Sequence, residues 1–349
     1  MKYSSVIVTE RGGPDVLQVI EDDLRSPHPN EVRIKVLAAP VSLPDVEARY
    51  GHSPFKLKTP FVPGYAVIGD VDAVGEAASR SVIGNRVAAL TVYGGYSEYI
   101  FLDEAELIPA PASIDPIAAA PLILNYIVAY QALHRYAEVQ EGDKVLIIGA
   151  SGGIGTAFLQ LGKLAGLIMY GLASKSKHQI LSDYGAMPID YRTQDFVRVI
   201  QQAEPDGIDA VFDGIGGEYI QKSFSLLQKG GSYVGYCNPL SISGMISYLG
   251  RVMLNHILPN GRSARFYGTG VSRLNRKPFL DDWAILFKLL AEGRINPIIA
   301  ATFPIIKAAE ANRLLENGTV SGNIVLAAEE LLQSNQPRFS SIRNPEGLS

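Results

Sequence analysis

Val32, Ile34 and Val36 alternate with Arg33 and Lys35, the period-two pattern of a strand with one buried face. Further short apolar runs at residues 66–74 and 86–90 are punctuated by Pro40, Pro44, Pro54, Pro60, Pro63, Gly75, Gly84, Gly94 and Gly95. Strands this short, with turns this frequent, predict a barrel-like or rolled antiparallel unit over the first third of the chain. Near residue 122 the pattern changes. Residues 129–136 read as a helix, 145–148 as a buried strand and 156–165 as a helix that follows a glycine cluster. Strands at 168–173, 188–190, 210–212 and 232–234 then alternate with helices at 178–184, 196–202 and 220–227. Repeated strand–helix units predict a parallel, doubly wound sheet.

Residues 240–258 are unusually apolar and read as an insertion that covers a cleft or packs in an interface. From Phe279 the pattern is helical, and residues 321–326 form a closing strand that can return to the first unit. Residues 333–349 are polar and read as a loose tail. A length of 349 residues fits about two domains at ~150 residues each. The expected division is 1–122, a Rossmann unit at 123–268, a return to the first unit at 269–332, and the tail.

Composition narrows the function classes. Lys plus Arg is 31 against 35 for Asp plus Glu, a net charge of −4, which speaks against a nucleic-acid partner. Hydrophobic residues make up 47% and charged residues 19%, enough apolar material for a large core. The single cysteine, Cys237, excludes an intramolecular disulfide framework and a cysteine-rich zinc lobe. No targeting segment is visible at the N-terminus. The apolar stretch 118–133 is broken by Pro121, Asn125 and Gln131 and falls short of the ~18 residues that span a bilayer. A cytoplasmic protein without a membrane span is expected.

The glycine cluster carries the first chemistry. Gly149-Ala150-Ser151-Gly152-Gly153-Ile154-Gly155 follows a strand and opens a helix. Glycines there permit a tight turn, close approach of the backbone to a pyrophosphate, and close packing of helix on sheet. The phosphates then meet unpaired N–H groups at the helix N-terminus. NAD-preferring sites of this kind carry an acid ~20 residues later to hold the ribose hydroxyls. No Asp or Glu occurs from 156 to 182; the turn reads Ser174-Lys175-Ser176-Lys177 instead. Hydroxyls and ammonium groups suit a 2′-phosphate, so NADPH is the expected cofactor, with Lys177 the principal charge and Ser174 in support.

Together these motifs resemble the zinc-independent quinone oxidoreductase-like branch of the medium-chain dehydrogenase/reductase superfamily. The resemblance rests on Gly12-Gly13-Pro14-Asp15-Val16-Leu17, Pro60-Phe61-Val62-Pro63-Gly64, residues 69–75, the loop 149–155, Asp213-Gly214-Ile215-Gly216-Gly217 and residues 321–326. It implies a Rossmann-type α/β domain beside a β-rich GroES-like catalytic domain, with NADPH in the cleft between them and assembly as a homodimer. The implied reaction is hydride transfer to a small hydrophobic quinone or to the C=C of an α,β-unsaturated carbonyl. A zinc-free carbonyl reductase and a non-catalytic NADPH-binding protein are the alternatives. The short-chain reductases need Tyr-x-x-x-Lys, and none of the seventeen tyrosines has lysine four residues on.

The resemblance also places candidate residues. The ligand positions of zinc-dependent relatives fall at Ser42, Tyr65 and about Leu124, which is no competent ligand set, so no metal is expected. His28, His52, His134, His178 and His256 show no ligand spacing. The family's Asn-x-x-Asp loop beside the nicotinamide reads Ser42-Leu43-Pro44-Asp45 here, and a tyrosine two residues after that Asp is Glu47. Ser42, Asp45, Tyr50 and Tyr65 are the catalytic candidates, Tyr65 first; packing or rim roles are the ordinary alternative for each. The resemblance adds Tyr191 in support of Lys177 and Ser174, and Gly149, Ala150, Ser151, Gly152, Gly153, Ile154, Gly155, Asp213, Gly214, Ile215, Gly216 and Tyr236 join the turn residues as cofactor contacts. Asn323 stands where relatives carry a lysine near the cofactor, so Asn323→Lys is expected to leave binding intact or tighten it.

Overall fold

In the structure, a computed structural model, residues 1–53, 57–236, 250, 261–270 and 275–334 are described. β1 (Lys2–Val8) and β2 (Leu17–Asp23) form an antiparallel pair. β3 (Glu31–Val41) carries the alternation read from the sequence: Val32, Ile34 and Val36 are buried, Arg33 and Lys35 half-exposed. β4 (Val67–Val74), β5 (Arg86–Ala89), β6 (Tyr99–Asp103) and β7 (Ile108–Pro109) complete the early strands.

β8 (Lys144–Ile148), β9 (Ile168–Ala173), β10 (Met187–Asp190), β11 (Ile208–Asp213), β12 (Leu227–Gly235) and β13 (Ser263–Phe266) form a six-stranded sheet in the order β10–β9–β8–β11–β12–β13. Every neighbouring pair in it is parallel. The order reverses between β8 and β11, the place where a doubly wound sheet opens a crevice at its carboxyl edge. This is the expected α/β class.

β14 (Ile299–Pro304) and β15 (Asn323–Ala327) return to the first unit, giving a seven-stranded sheet ordered β14–β15–β3–β4–β5–β7, with β6 also on β3. β14 corrects the expectation of helix from Phe279 onward: the helix ends at Ala291. Ile305, Ala308, Ile324 and Leu326 pack into the core of the first unit, against Val36, Val41 and Val67 among others.

A 22-residue helical run, Pro116–Ala137, bridges the lobes. It is longer than the predicted 129–136: it continues past Pro121 and contains wider turns at Leu122–Tyr126 and Ala132–Ala137. By length and composition it could cross a membrane, but 89% of its apolar window is buried inside the fold. Its residues share one core with Ala38 and Ile68 of the first lobe and Phe158 and Phe212 of the second. The apolar stretch 240–258, apart from residue 250, the tail from 335 onward, Cys237 and His256 lie outside the described residues.

Candidate cofactor and active site

β8 ends at Ile148, and the loop turns at Gly149 with φ +81°, a conformation that disfavours any side chain. Gly152 N–H donates to Gly149 O at 3.1 Å, and the helix Gly153–Leu164 opens with Thr156 N–H to Gly152 O at 2.8 Å. The N–H groups before Thr156 therefore precede the first intrahelical bond and point out of the helix end. A Cβ on Gly155 would lie 2.3 Å from Gly149 O, so only glycine allows this helix to seat on the loop. Ala150 N–H bonds Leu172 O at 3.1 Å, and Ser151 O accepts from Gly322 N–H at 2.9 Å, joining the loop to the other lobe. A Cβ on Gly152 would meet nothing nearer than Gly149 O at 3.6 Å, leaving open backbone for a pyrophosphate. Ile154 packs against the central core. The loop fits a dinucleotide.

Gly153 rests on the Asn125 and Asn323 side chains. Asn125 Nδ2 donates to Asn323 Oδ1 at 2.6 Å, and Asn323 Nδ2 donates to Ile298 O at 3.1 Å. Asn323 is buried, so its amide is a strut beneath the loop, and the basis for expecting a harmless lysine there is gone.

At the carboxyl ends of β9 and β10, Asp190 pairs in register with Ala173, so Ser174 and Tyr191 leave neighbouring strands side by side. Ser174 Oγ lies 3.4 Å from Ser176 Oγ. Lys177 Nζ donates to Gly318 O at 2.6 Å and Val320 O at 2.8 Å across the lobes. Arg192, unremarked in the sequence although it adjoins Tyr191, sets its guanidinium 5.7 Å from the centre of the Tyr191 ring.

After β11, Asp213 is fully buried and accepts from Ile215 N–H at 2.8 Å, Gly216 N–H at 2.9 Å and Tyr233 OH at 2.8 Å. Its carboxylate fixes the turn, while burial raises its pKa. Gly214 packs flat on Tyr236, whose ring a Cβ would approach to 2.6 Å, and Tyr236 tilts against Phe158.

Ser42 and Asp45 form a capping box at the start of the helix Leu43–Tyr50. Asp45 accepts from Ser42 Oγ at 2.6 Å, Ser42 N–H at 2.9 Å, Gly64 N–H at 3.0 Å and Tyr96 OH at 3.1 Å. Burial pushes its carboxyl up to about 6 against those donors. The pair thus anchors the turn that presents Tyr65. Tyr65 OH lies 3.2 Å from Thr269 Oγ1, a hydroxyl pair that joins the turn before β4 to the segment just after β13. Thr269 carried no signal in the sequence, since the contact spans 204 residues. Tyr50 goes elsewhere: its OH donates to Glu316 at 3.1 Å, beside the buried Arg49, which also bonds Glu316 and Gly12. Among the described residues no cluster of three His, Cys, Asp or Glu groups could hold a metal.

Residues 28–112 match the family described as alcohol dehydrogenase GroES-like domain, and residues 184–326 match that described as zinc-binding dehydrogenase. The synaptic vesicle membrane protein VAT-1 homolog of Rattus norvegicus is 30% identical over 315 residues, covering 86% of this chain and 78% of that protein. The chain belongs to the quinone oxidoreductase-like branch of the medium-chain dehydrogenase/reductase superfamily. Human quinone oxidoreductase is 29% identical over 329 residues, covering 92% of this chain and 97% of the relative. The solved quinone oxidoreductase of Pseudomonas syringae superposes with a TM-score of 0.82 at 26% identity, covering 93% and 99%. The family binds a nicotinamide cofactor, and the chain is an oxidoreductase of this type.

Proposed function

We propose that the chain is an NADPH-dependent, zinc-independent reductase that delivers hydride to quinones or to the C=C of α,β-unsaturated carbonyls. The observation that carries this reading is the open glycine loop at the sheet's reversal point, flanked by a cationic turn where an NAD site would carry an acid. The N–H groups of residues 153–155 would hold the pyrophosphate, and the turns at Ser174 and Tyr191 would receive the adenosine end. Asp213, Gly214, Ile215, Gly216 and Tyr236 shape the wall beside it. NADPH supplies the hydride when bound.

Reduction leaves negative charge on the acceptor's oxygen. Tyr65 OH, held by Thr269, donates a proton or hydrogen bond to that oxygen and recovers the proton from water. Ser42 and Asp45 hold the Tyr65 turn in place. At the positions where zinc-dependent relatives place ligands, Ser42 Oγ is committed to Asp45, Tyr65 to Thr269, and Leu124 is a buried hydrocarbon. Polarisation by protein hydroxyls therefore replaces a metal in this reading. The test is NADPH oxidation with 1,4-quinones, enones and saturated ketones, with product analysis of one enone. Turnover of quinones or a saturated-ketone product from the enone supports it. Activity confined to saturated ketones, or none with any acceptor, overturns it.

A further inference from the structure

Within the NADPH reading, on which this step rests, the geometry points to Arg192, backed by Tyr191, as the cation that distinguishes a 2′-phosphorylated dinucleotide from an unphosphorylated one. Lys177 is instead a tie between the lobes.

Lys177 is the only lysine of its turn drawn into a long-range contact among the described residues. Two of its three ammonium donors are taken by Gly318 O and Val320 O, carbonyls of the segment that leads into β15. Burial and the positive charge of Arg192 both lower its pKa, which places the two cations within electrostatic reach. To bind a phosphate, Lys177 must share or surrender bonds that hold the lobes together.

Arg192 has no such commitment. It is exposed, and among the described residues its guanidinium makes no hydrogen bond or ion pair. The acid of the same turn, Asp190, is occupied by Arg192 N–H at 3.1 Å and Thr193 Oγ1 at 3.0 Å. The Tyr191 ring supports the guanidinium from one side. A planar fork of donors matches two phosphate oxygens at once, which an ammonium cannot do. The pairing of Asp190 with Ala173 sets residues 191 and 192 beside Ser174, at the turn where the absent acid of an NAD site would stand, so a 2′-phosphate held there would be within this fork's reach. A phosphate there also neutralises the repulsion between Arg192 and Lys177.

The test is equilibrium binding of NADPH, NADH, 2′,5′-ADP and 5′-AMP to the wild type, Arg192→Ala and Lys177→Ala, with melting temperatures for each. Arg192→Ala should lose about ten- to hundredfold for NADPH and 2′,5′-ADP, the loss of a charge-assisted contact, and leave NADH and 5′-AMP unchanged. Lys177→Ala should weaken NADPH and NADH by similar factors and lower the melting temperature. If Lys177→Ala abolishes the NADPH preference and Arg192→Ala keeps it, Lys177 is the phosphate cation and the inference is overturned. A wild type that prefers NADH, or binds neither dinucleotide, overturns the NADPH reading itself, whatever the variants do.

Discussion

Asn125 Nδ2 and Asn323 Oδ1 meet at 2.6 Å beneath Gly153, so an amide from each lobe supports the dinucleotide loop. An alanine Cβ at Gly153 would fall 2.5 Å from Asn125 Nδ2 and 2.8 Å from Asn323 Oδ1. Gly153→Ala should therefore lower the melting temperature and weaken dinucleotide binding together. Gly152→Ala, which meets only Gly149 O at 3.6 Å, should keep its melting temperature and lose binding alone. Differential scanning fluorimetry and a binding titration separate the two; equal melting temperatures would remove the strut.

Asn323→Lys should destabilise the fold by about 2–4 kcal/mol, because it buries an ammonium and strips the partner from Asn125 Nδ2, while Ile298 O keeps only the backbone N–H of residue 323. Denaturant unfolding measures this. An unchanged midpoint would show that the lysine escapes to solvent and the amide pair is dispensable.

Tyr65→Phe should reduce turnover by about tenfold or more while dinucleotide affinity holds, since it removes a donor from the reacting oxygen. Tyr50→Phe removes only a bond to Glu316 and should leave turnover within about twofold. Steady-state kinetics on both variants decide. The reverse ranking would move the proton donor to Tyr50.

Exhaustive chelation should leave activity intact, and elemental analysis should find no stoichiometric zinc. Loss of turnover restored only by zinc would contradict the hydroxyl-based site built on Ser42 and Tyr65.

Asp45 predicts a pH dependence of stability. Its carboxyl stands at about 6 in the folded chain against an ordinary 3.8, so folding favours the protonated form. The resulting stabilisation is fully present below 3.8 and is lost as pH rises through about 6, on the order of 3 kcal/mol in all. Across that window the stability of the wild type minus that of Asp45→Asn should fall, then level off. Thermal unfolding of both proteins from pH 4 to 8 tests the sign; a rising difference contradicts it.

Local signals were readable where they were self-contained. Strand 168–173 was bounded by Gly166 and the serine–lysine turn, and the glycine loop declared both its strand and its helix. Ser42 and Asp45 have the spacing of a capping box, but the run of prolines from Pro40 to Pro63 masks the helix Leu43–Tyr50 that it opens. β14 carries no local strand signal: Ile-Ala-Ala-Thr-Phe does not alternate and, apart from the exposed Ala300, is half-buried along its length. The contacts that redirect Lys177, Tyr65 and Asn323 span 141 to 204 residues, and no local pattern encodes them.

The pairing of β15 with residues 38–41 of β3 sets a timetable for synthesis. The edge of β3 leaves the ribosome with the first lobe, but its partner is made about 280 residues later. At ~5–20 residues per second that interval is on the order of 15–60 s. Throughout it the first lobe lacks one side of its sheet and the core contributed by Ile305, Ile324 and Leu326. The parallel sheet between them has every strand by Phe266 and can condense first. A nascent chain arrested before β15 therefore presents an open strand edge, the feature that recruits chaperones or other copies of itself.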